Sequence, residues 1–190
     1  MKTPLNVFDL DGTILKTDSL KIFYLFLLRK RPHTSVYFAL RFFRIWTSSR
    51  LKEGLYILAK ELFQKHSKEF LSKMKSQTDE YIIQLLNKSI NSEGKTIVIS
   101  ASYDFYVRAF CNELGCEGYG SYKAENGRFI NLQGEKKVEF LKNHFPNDKY
   151  EYQFSVSDHL SDLNLLREFK DSHLAVRKEG QTILKNVNDL

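Results

Sequence analysis

The run Asn6-Val-Phe-Asp-Leu-Asp-Gly-Thr-Ile-Leu15 constrains this chain more than any other. Its apolar residues read as a strand that Gly12 breaks, with two carboxylates, Asp9 and Asp11, two residues apart at the strand's end. Side chains alternate along a strand, so while it stays regular the two acids point the same way, about 6 to 7 Å apart. Carboxylates that close repel, and a divalent cation relieves the repulsion. A hard cation that keeps waters and takes one or two carboxylates plus phosphate oxygens is Mg²⁺, so the pair already implies phosphate. An aspartate also serves as a nucleophile toward phosphorus, while a neighbouring carboxyl protonates the leaving oxygen and later activates water. Asp9 and Asp11 can divide those roles. The plainer alternative is a solvated turn in which Asp11-Gly12 only ends the strand.

With these residues the chain resembles the haloacid dehalogenase superfamily, whose phosphatases carry Asp-x-Asp-Gly-Thr as a first motif. The segment Lys95-Thr-Ile-Val-Ile-Ser-Ala-Ser102 reads as a buried parallel strand over 95–100 feeding a helix that starts near Tyr103. Ser100 is similar to the family's phosphate-binding Ser or Thr. A helix start there would add backbone N–H groups at Ala101 and Ser102 and the positive end of the dipole; alternatively, Ser102 is the helix N-cap. The stretch Gly134-Glu-Lys-Lys-Val-Glu-Phe-Leu141 is similar to the family's Gly-x-x-Lys-x-x-x-Leu pattern, which selects Lys137 over its neighbour Lys136 as the lysine that neutralises nucleophile and phosphate. The run Gln153–Asp162 is a strand ending in Asp158 with a second acid four residues later. That acidic pair is adjacent if the loop rolls into a helical turn, and is unfavourable without a cation. The resemblance implies that Asp9, Asp11 and Asp158 bind Mg²⁺, with Asp162 bracing the site from behind, while Ser161 or Asp162 can also cap the run Leu163–Phe169. His159 stands where relatives carry a small residue; it either contacts substrate or faces solvent.

Strands and helices alternate after residue 78: helices at 79–91, 103–114, 135–144 and 160–168, strands at 95–100, 116–119, 151–157 and 173–177, and a hairpin turn at 125–128. The expected fold is therefore α/β, a Rossmann-like doubly wound parallel sheet with its site at the carboxyl ends of the strands. The resemblance adds a small helical cap inserted after the first strand, which divides the chain into a catalytic core, residues 1–18 and 79–190, and a cap, residues 19–78. Cys111 and Cys116 lack metal or redox spacing and read as buried structural thiols, and the five histidines show no zinc-like spacing. The first apolar run is the catalytic strand itself, so no signal peptide is visible, and the expected location is cytosolic or on a cytosolic membrane face.

Residues 21–60 hold nine Lys or Arg and one Glu, a net +8, whereas the rest of the chain holds 20 basic and 22 acidic residues, a net −2. The same stretch is crowded with apolar and aromatic side chains from Ile22 to Leu28 and from Tyr37 to Trp46. No charge-free run approaches the roughly 20 residues of a spanning helix. Two compatible readings follow. Basic, aromatic helices can lie in the headgroup plane of an anionic membrane, or they can form a cap whose aromatics pack on one another. A nucleic-acid partner is not expected, because no recognised motif accompanies the basic patch.

Within the superfamily the resemblance is to the phosphoserine phosphatase-like hydrolases and, over Phe23–Trp46 and more faintly over the ending His173–Gln181, to the phosphatidylglycerophosphatase C group. It implies a Mg²⁺-dependent phosphomonoester hydrolase working through an aspartyl-phosphate. Asp9 would be the nucleophile, Asp11 the acid and base, and Ser100, Ala101 and Lys137 the phosphate holders. Its substrate would be a phosphorylated lipid headgroup such as phosphatidylglycerophosphate or, alternatively, a small soluble phosphomonoester. A non-catalytic binding protein that keeps the fold is a third reading.

Overall fold

A computed structural model describes residues 1–189. Strand β1 (Thr3–Phe8) lies at the centre of a seven-stranded sheet, and the chain returns to its flanks with β2 (Lys95–Tyr103) on one side and β5 (Tyr150–Ser157) on the other. β3 (Glu117–Lys123) extends the sheet beyond β2 and β6 (Asp171–Lys178) beyond β5, all parallel; β4 (Phe129–Ile130) and β7 (Gln181–Asn186) close the two edges antiparallel. This is the α/β doubly wound sheet expected. Successive crossovers leave β1 in opposite directions, so the switch of strand order falls between β1 and β5, where such folds open a crevice at the carboxyl ends.

The two sheet faces are buried by different helices. Leu5 and Val7 of β1, with Ile97 and Ile99 of β2, pack against Val138 and Leu141 of α6 (Glu135–His144) and Leu165 of α7 (Leu163–Leu166). Phe8 and Val98, one residue out of phase, face the other layer: α1 (Ser19–Lys30), α3 (Ser48–Lys75), α4 (Glu80–Ile90) and α5 (Asp104–Leu114). Burial on both faces explains why the inner strands read as continuous apolar runs.

Between β1 and α4 the chain forms α1, α2 (Ser35–Phe42) and α3. Asp18 caps α1 by accepting from the Leu20 and Lys21 amides, Thr47 caps α3, and Asp79 caps α4. Non-helical backbone at His66 divides α3 in two, each half burying its own apolar face. Phe23 of α1 meets Phe70 of α3 edge-on at 4.7 Å between centroids and stacks on Tyr106 of α5 at 5.4 Å. Part of the apolar content of 21–60 is therefore spent on the interior: Phe23, Phe26 and Leu27 are buried, and α1 is not a surface element over that face. α2, by contrast, buries no residue.

Several local expectations change. β2 runs to Tyr103, three residues further than expected, and α5 starts at Asp104. The expected helix over 160–168 is a 3₁₀ turn (Leu160–Asp162) followed by the single-turn α7. β7 is an additional edge strand. Cys111 is buried, while Cys116 is only partly so.

Candidate active site

Asp9 follows β1 and keeps its ladder, donating its N–H to the Val156 carbonyl at 2.9 Å. Alternation puts it on the α6 side of the sheet, after Leu5 and Val7. Gly134, at φ +56, starts α6 and brings Lys137 within reach. The Lys137 Nζ lies 2.5 Å from Asp9 Oδ1 and 2.6 Å from Asp162 Oδ2, and Ser157 Oγ donates to the same Asp162 oxygen at 2.8 Å. Asp9, Lys137 and Asp162 are only 7%, 2% and 3% exposed. Lys136 instead pairs with Glu139 at the surface.

One ammonium between two carboxylates leaves a net negative charge in a buried place. Burial, opposed by Lys137 and reinforced by Asp162 and Asp11, pushes the Asp9 carboxyl up to about 8. Lys137 is driven the other way from its burial penalty: Asp9 and Asp162 outweigh desolvation and hold its ammonium charged. Asp162 therefore meets its positive charge in this lysine, and its side chain makes no cap to α7, contrary to the capping expectation.

Asp11 does not share Asp9's partners, because the strand ends at Phe8 and the backbone turns at Gly12, whose φ is +75. Its Oδ1 accepts the Ser19 amide at 2.6 Å, at the positive end of α1, and its Oδ2 accepts Ser102 Oγ at 2.5 Å and Ser100 Oγ at 3.1 Å. Burial raises its carboxyl above the usual range even though the bonds from Ser102 and Ser19 lower it. Two residues apart on β2, the two hydroxyls share a face and meet Asp11 where the strand shifts register with β3 between Ile99 and Tyr103.

The extension of β2 to Tyr103 also revises the reading of 100–102. Ser102 is not an N-cap: Tyr103 holds that position, the Ser102 amide donates to Ser100 Oγ at 3.0 Å, and its hydroxyl serves Asp11. Ala101 and Ser102 are strand backbone, not the first turn of α5. The Ala101 carbonyl accepts from Lys52 Nζ of α3 at 3.0 Å and from Ser121 Oγ at 2.7 Å.

Asp158 follows β5, and its carboxylate sits directly over Gly12: a Cβ there would fall 1.9 Å from Asp158 Oδ2. Position 12 thus demands glycine twice, for its φ and for the space the acid occupies. Burial raises the Asp158 carboxyl too. His159 uses its ring Nδ1 to accept the Ser161 amide at 3.0 Å, capping the 3₁₀ turn at the rim of the site.

Asp9, Asp11, Lys137, Asp158 and Asp162 open into one cleft of about 740 Å³, walled on its far side by Tyr24, Leu51 and Lys52 from the inserted helices. Sequence reasoning passed over Ser19, Lys52 and Arg177. Ser19 had a signal, since Asp18-Ser19 opens a helix. Lys52 had none of its own, and Arg177 had only its place in the ending His173–Gln181, which assigned it no role. Arg177 reaches from β6 to the carbonyls of Thr13, Leu15 and Lys16, each at 3.3 Å, and holds the loop after the first motif.

Solved structures of similar fold come from several sources. A protein from Bordetella pertussis Tohama I, described as of unknown function, is 14% identical with a TM-score of 0.61, covering 88% of this chain and 87% of its own. A phosphoserine phosphohydrolase-like protein from Francisella tularensis is 17% identical, TM-score 0.55, covering 88% and 83%. A phospho-aspartyl intermediate analogue of phosphoserine phosphatase is 12% identical, TM-score 0.52, covering 89% and 84%. At these identities they show the fold. No curated protein matches by sequence. The pattern of the haloacid dehalogenase-like hydrolases, however, matches residues 7–167, from the strand carrying Asp9 past the turn carrying Asp162. The chain belongs to the haloacid dehalogenase-like hydrolase family.

Proposed function

We propose that this hydrolase is a Mg²⁺-dependent phosphomonoesterase that works through an aspartyl-phosphate. The observation that carries the reading is the pairing of a buried Asp9–Lys137 contact with a separately held Asp11, whose carboxyl burial raises, in one cleft. Asp9 attacks phosphorus and the bond to the leaving oxygen breaks; Asp11 delivers its proton to that oxygen. Asp11 then takes a proton from the water that attacks the acyl phosphate, which frees inorganic phosphate and restores Asp9. Lys137 and the backbone at Ala101 hold phosphoryl oxygens, while Ser100, fully buried with its hydroxyl donated to Asp11, reaches the phosphate only by turning that hydroxyl away from Asp11. Asp162 and Ser157 fix the lysine.

The residues fit Mg²⁺. Asp9 and Asp158 directly follow the two strands beside the switch point, Asp158 against Gly12, and Lys137 alone does not bring Asp9 into the ordinary carboxylate range. Two carboxylates, the Asp11 carbonyl and waters would complete the oxygen set this ion prefers. When bound, the ion would supply positive charge to the carboxylates and the phosphoryl oxygens.

For the substrate we favour a phosphorylated lipid headgroup, because Lys16, Lys21 and Lys52 line the cleft and the exposed Phe42, Phe43 and Ile45 stand a few residues before Ser48, which also lines it. A small soluble phosphomonoester is the second reading, supported by the phosphoserine phosphatases of similar fold. In this reading of the chain, 1–18 with 79–190 acts as the core and 19–78 as a cap that selects substrate.

The test is phosphate release from an aryl phosphate, expected to require Mg²⁺, to stop with chelator and to recover on adding the metal back. Acid quenching during turnover should trap phosphate on Asp9, read by mass spectrometry after borohydride reduction. Absence of metal-dependent turnover leaves only the non-catalytic binding protein. A panel of phosphatidylglycerophosphate in micelles, phosphoserine and sugar phosphates then decides between the two substrate classes.

A further inference from the structure

The end of α2 is built outward. Phe42, Phe43 and Ile45 are 81%, 70% and 63% exposed, and the two phenylalanines meet edge-on at 5.4 Å. Between them and Ile45 stands Arg44 at φ +59, a left-handed conformation that disfavours side chains. The turn is nevertheless firmly tied: the Ile45 and Trp46 amides both donate to the Leu40 carbonyl, at 2.9 and 3.1 Å. Trp46 anchors it from behind, 5.7 Å from the Tyr37 ring and so close to Gly54 that a Cβ there would lie 2.7 Å from the indole. A rigid turn thus presents three apolar side chains to the outside.

The charges around it are free. Arg41, Arg44 and Arg50 enter no ion pair among the described residues, whereas Lys30 and Arg31, at the other end of the inserted helices, are paired with Glu69 and Glu61. Arg50 lies over the Trp46 ring and Arg41 donates to Ser48 Oγ, so both stay beside the turn. Ser48, three residues past Ile45, already lines the catalytic cleft, as does Leu51.

A convex apolar tip ringed by unpaired arginines complements a soft anionic surface. We propose that the turn Phe42–Ile45, with Arg41, Arg44 and Arg50, docks this enzyme on an anionic lipid bilayer and brings the mouth of the cleft to the headgroups. Phe42, Phe43 and Ile45 enter the headgroup boundary, where apolar burial adds to electrostatic attraction. The inference deepens the lipid-headgroup reading of the same cleft and names the surface that reading needs.

Flotation of the full chain with vesicles tests it. The chain should bind vesicles of phosphatidylcholine mixed with phosphatidylglycerol, should fail to bind phosphatidylcholine alone, and should release as salt rises. Phe42→Ser combined with Phe43→Ser should weaken binding at least about tenfold, and Arg44→Gln about fivefold. Neither variant should change turnover of a soluble aryl phosphate or the circular dichroism melt. Equal binding by wild type and the double variant overturns the docking surface, as does absence of binding to anionic vesicles. A dimer, seen by light scattering, that the double variant converts to monomer also overturns it, since the occupant is then a second copy. Binding that depends on the turn, without turnover of a vesicle-embedded phospholipid phosphomonoester, keeps the docking surface and removes the lipid substrate.

Discussion

The centre at Asp9, Lys137 and Asp162 and the turn at Phe42–Ile45 carry charge in opposite ways. In the first, one ammonium and two carboxylates are enclosed, each within 2.6 Å of its partner. In the second, three arginines stand in solvent around apolar side chains without an acid among them. Enclosed charges answer to geometry, because every group left without a partner carries its full desolvation penalty. Exposed ones are screened and contribute little to holding the fold. The two regions should therefore respond differently to substitution: the centre in chemistry and stability together, the turn in neither.

The largest effect falls on chemistry. Asp9→Asn should lower turnover of an aryl phosphate by about 10⁴ or more, since an amide cannot serve as the nucleophile. Stability should not fall with it. A carboxyl raised from 3.8 to about 8 by folding holds its proton in the native state over a range where the unfolded chain releases it. Its contribution thus weakens as pH rises between those values. In metal-free buffer, urea midpoints measured from pH 5 to 8 should decline with pH more steeply for wild type than for Asp9→Asn. Identical slopes would contradict the burial of a reluctant carboxylate at this position.

Lys137→Met, one contact away, should do the reverse to stability. It leaves Asp9 and Asp162 facing each other without their cation, which costs about 3–5 kcal/mol when a buried pair is broken from one side. Urea unfolding followed by circular dichroism measures this; a loss under about 1 kcal/mol would show that the centre is solvated rather than enclosed. Two neighbouring substitutions with opposite stability signs separate a chemical role from a structural one.

How much of this was legible in the sequence follows from the same distinction. Asp9, Asp158 and the strands that carry them were readable because a parallel strand buried on both faces must be a continuous apolar run, and its end must turn polar. Lys137 was readable through the resemblance of Gly134–Leu141 to the family's Gly-x-x-Lys-x-x-x-Leu pattern, with Val138 and Leu141 on one helical face beside it. The extension of β2 was not: nothing in Ser100-Ala-Ser102 says that the strand continues to Tyr103 with a shift of register against β3, and Ser102 donates to Asp11 instead of capping a helix. The strand β7 stayed hidden because its residues alternate between half-buried and exposed at an edge, with polar groups at both ends. Lys52 and Arg177 belong to the site through contacts 49 and 161 to 164 positions away along the chain, beyond the reach of any local period.

The basic segment itself contains both kinds of region, so it offers a comparison at constant residue type. Phe23 is fully buried among Phe70, Tyr103 and Tyr106, and Phe23→Ala should cost about 3–5 kcal/mol. Phe42 and Phe43 pair edge-on at exposed positions, and replacing both with serine should shift stability by no more than about 0.5 kcal/mol. The measurement is a paired urea titration of the two variants with soluble aryl phosphate turnover as a second readout. If the surface variant proves as costly as the buried one, the turn is part of the packed core in solution. If it costs nothing, three large apolar groups are being held in water by a hydrogen-bonded turn that folding does not require, and contact with something outside the chain is the physical reason left for them.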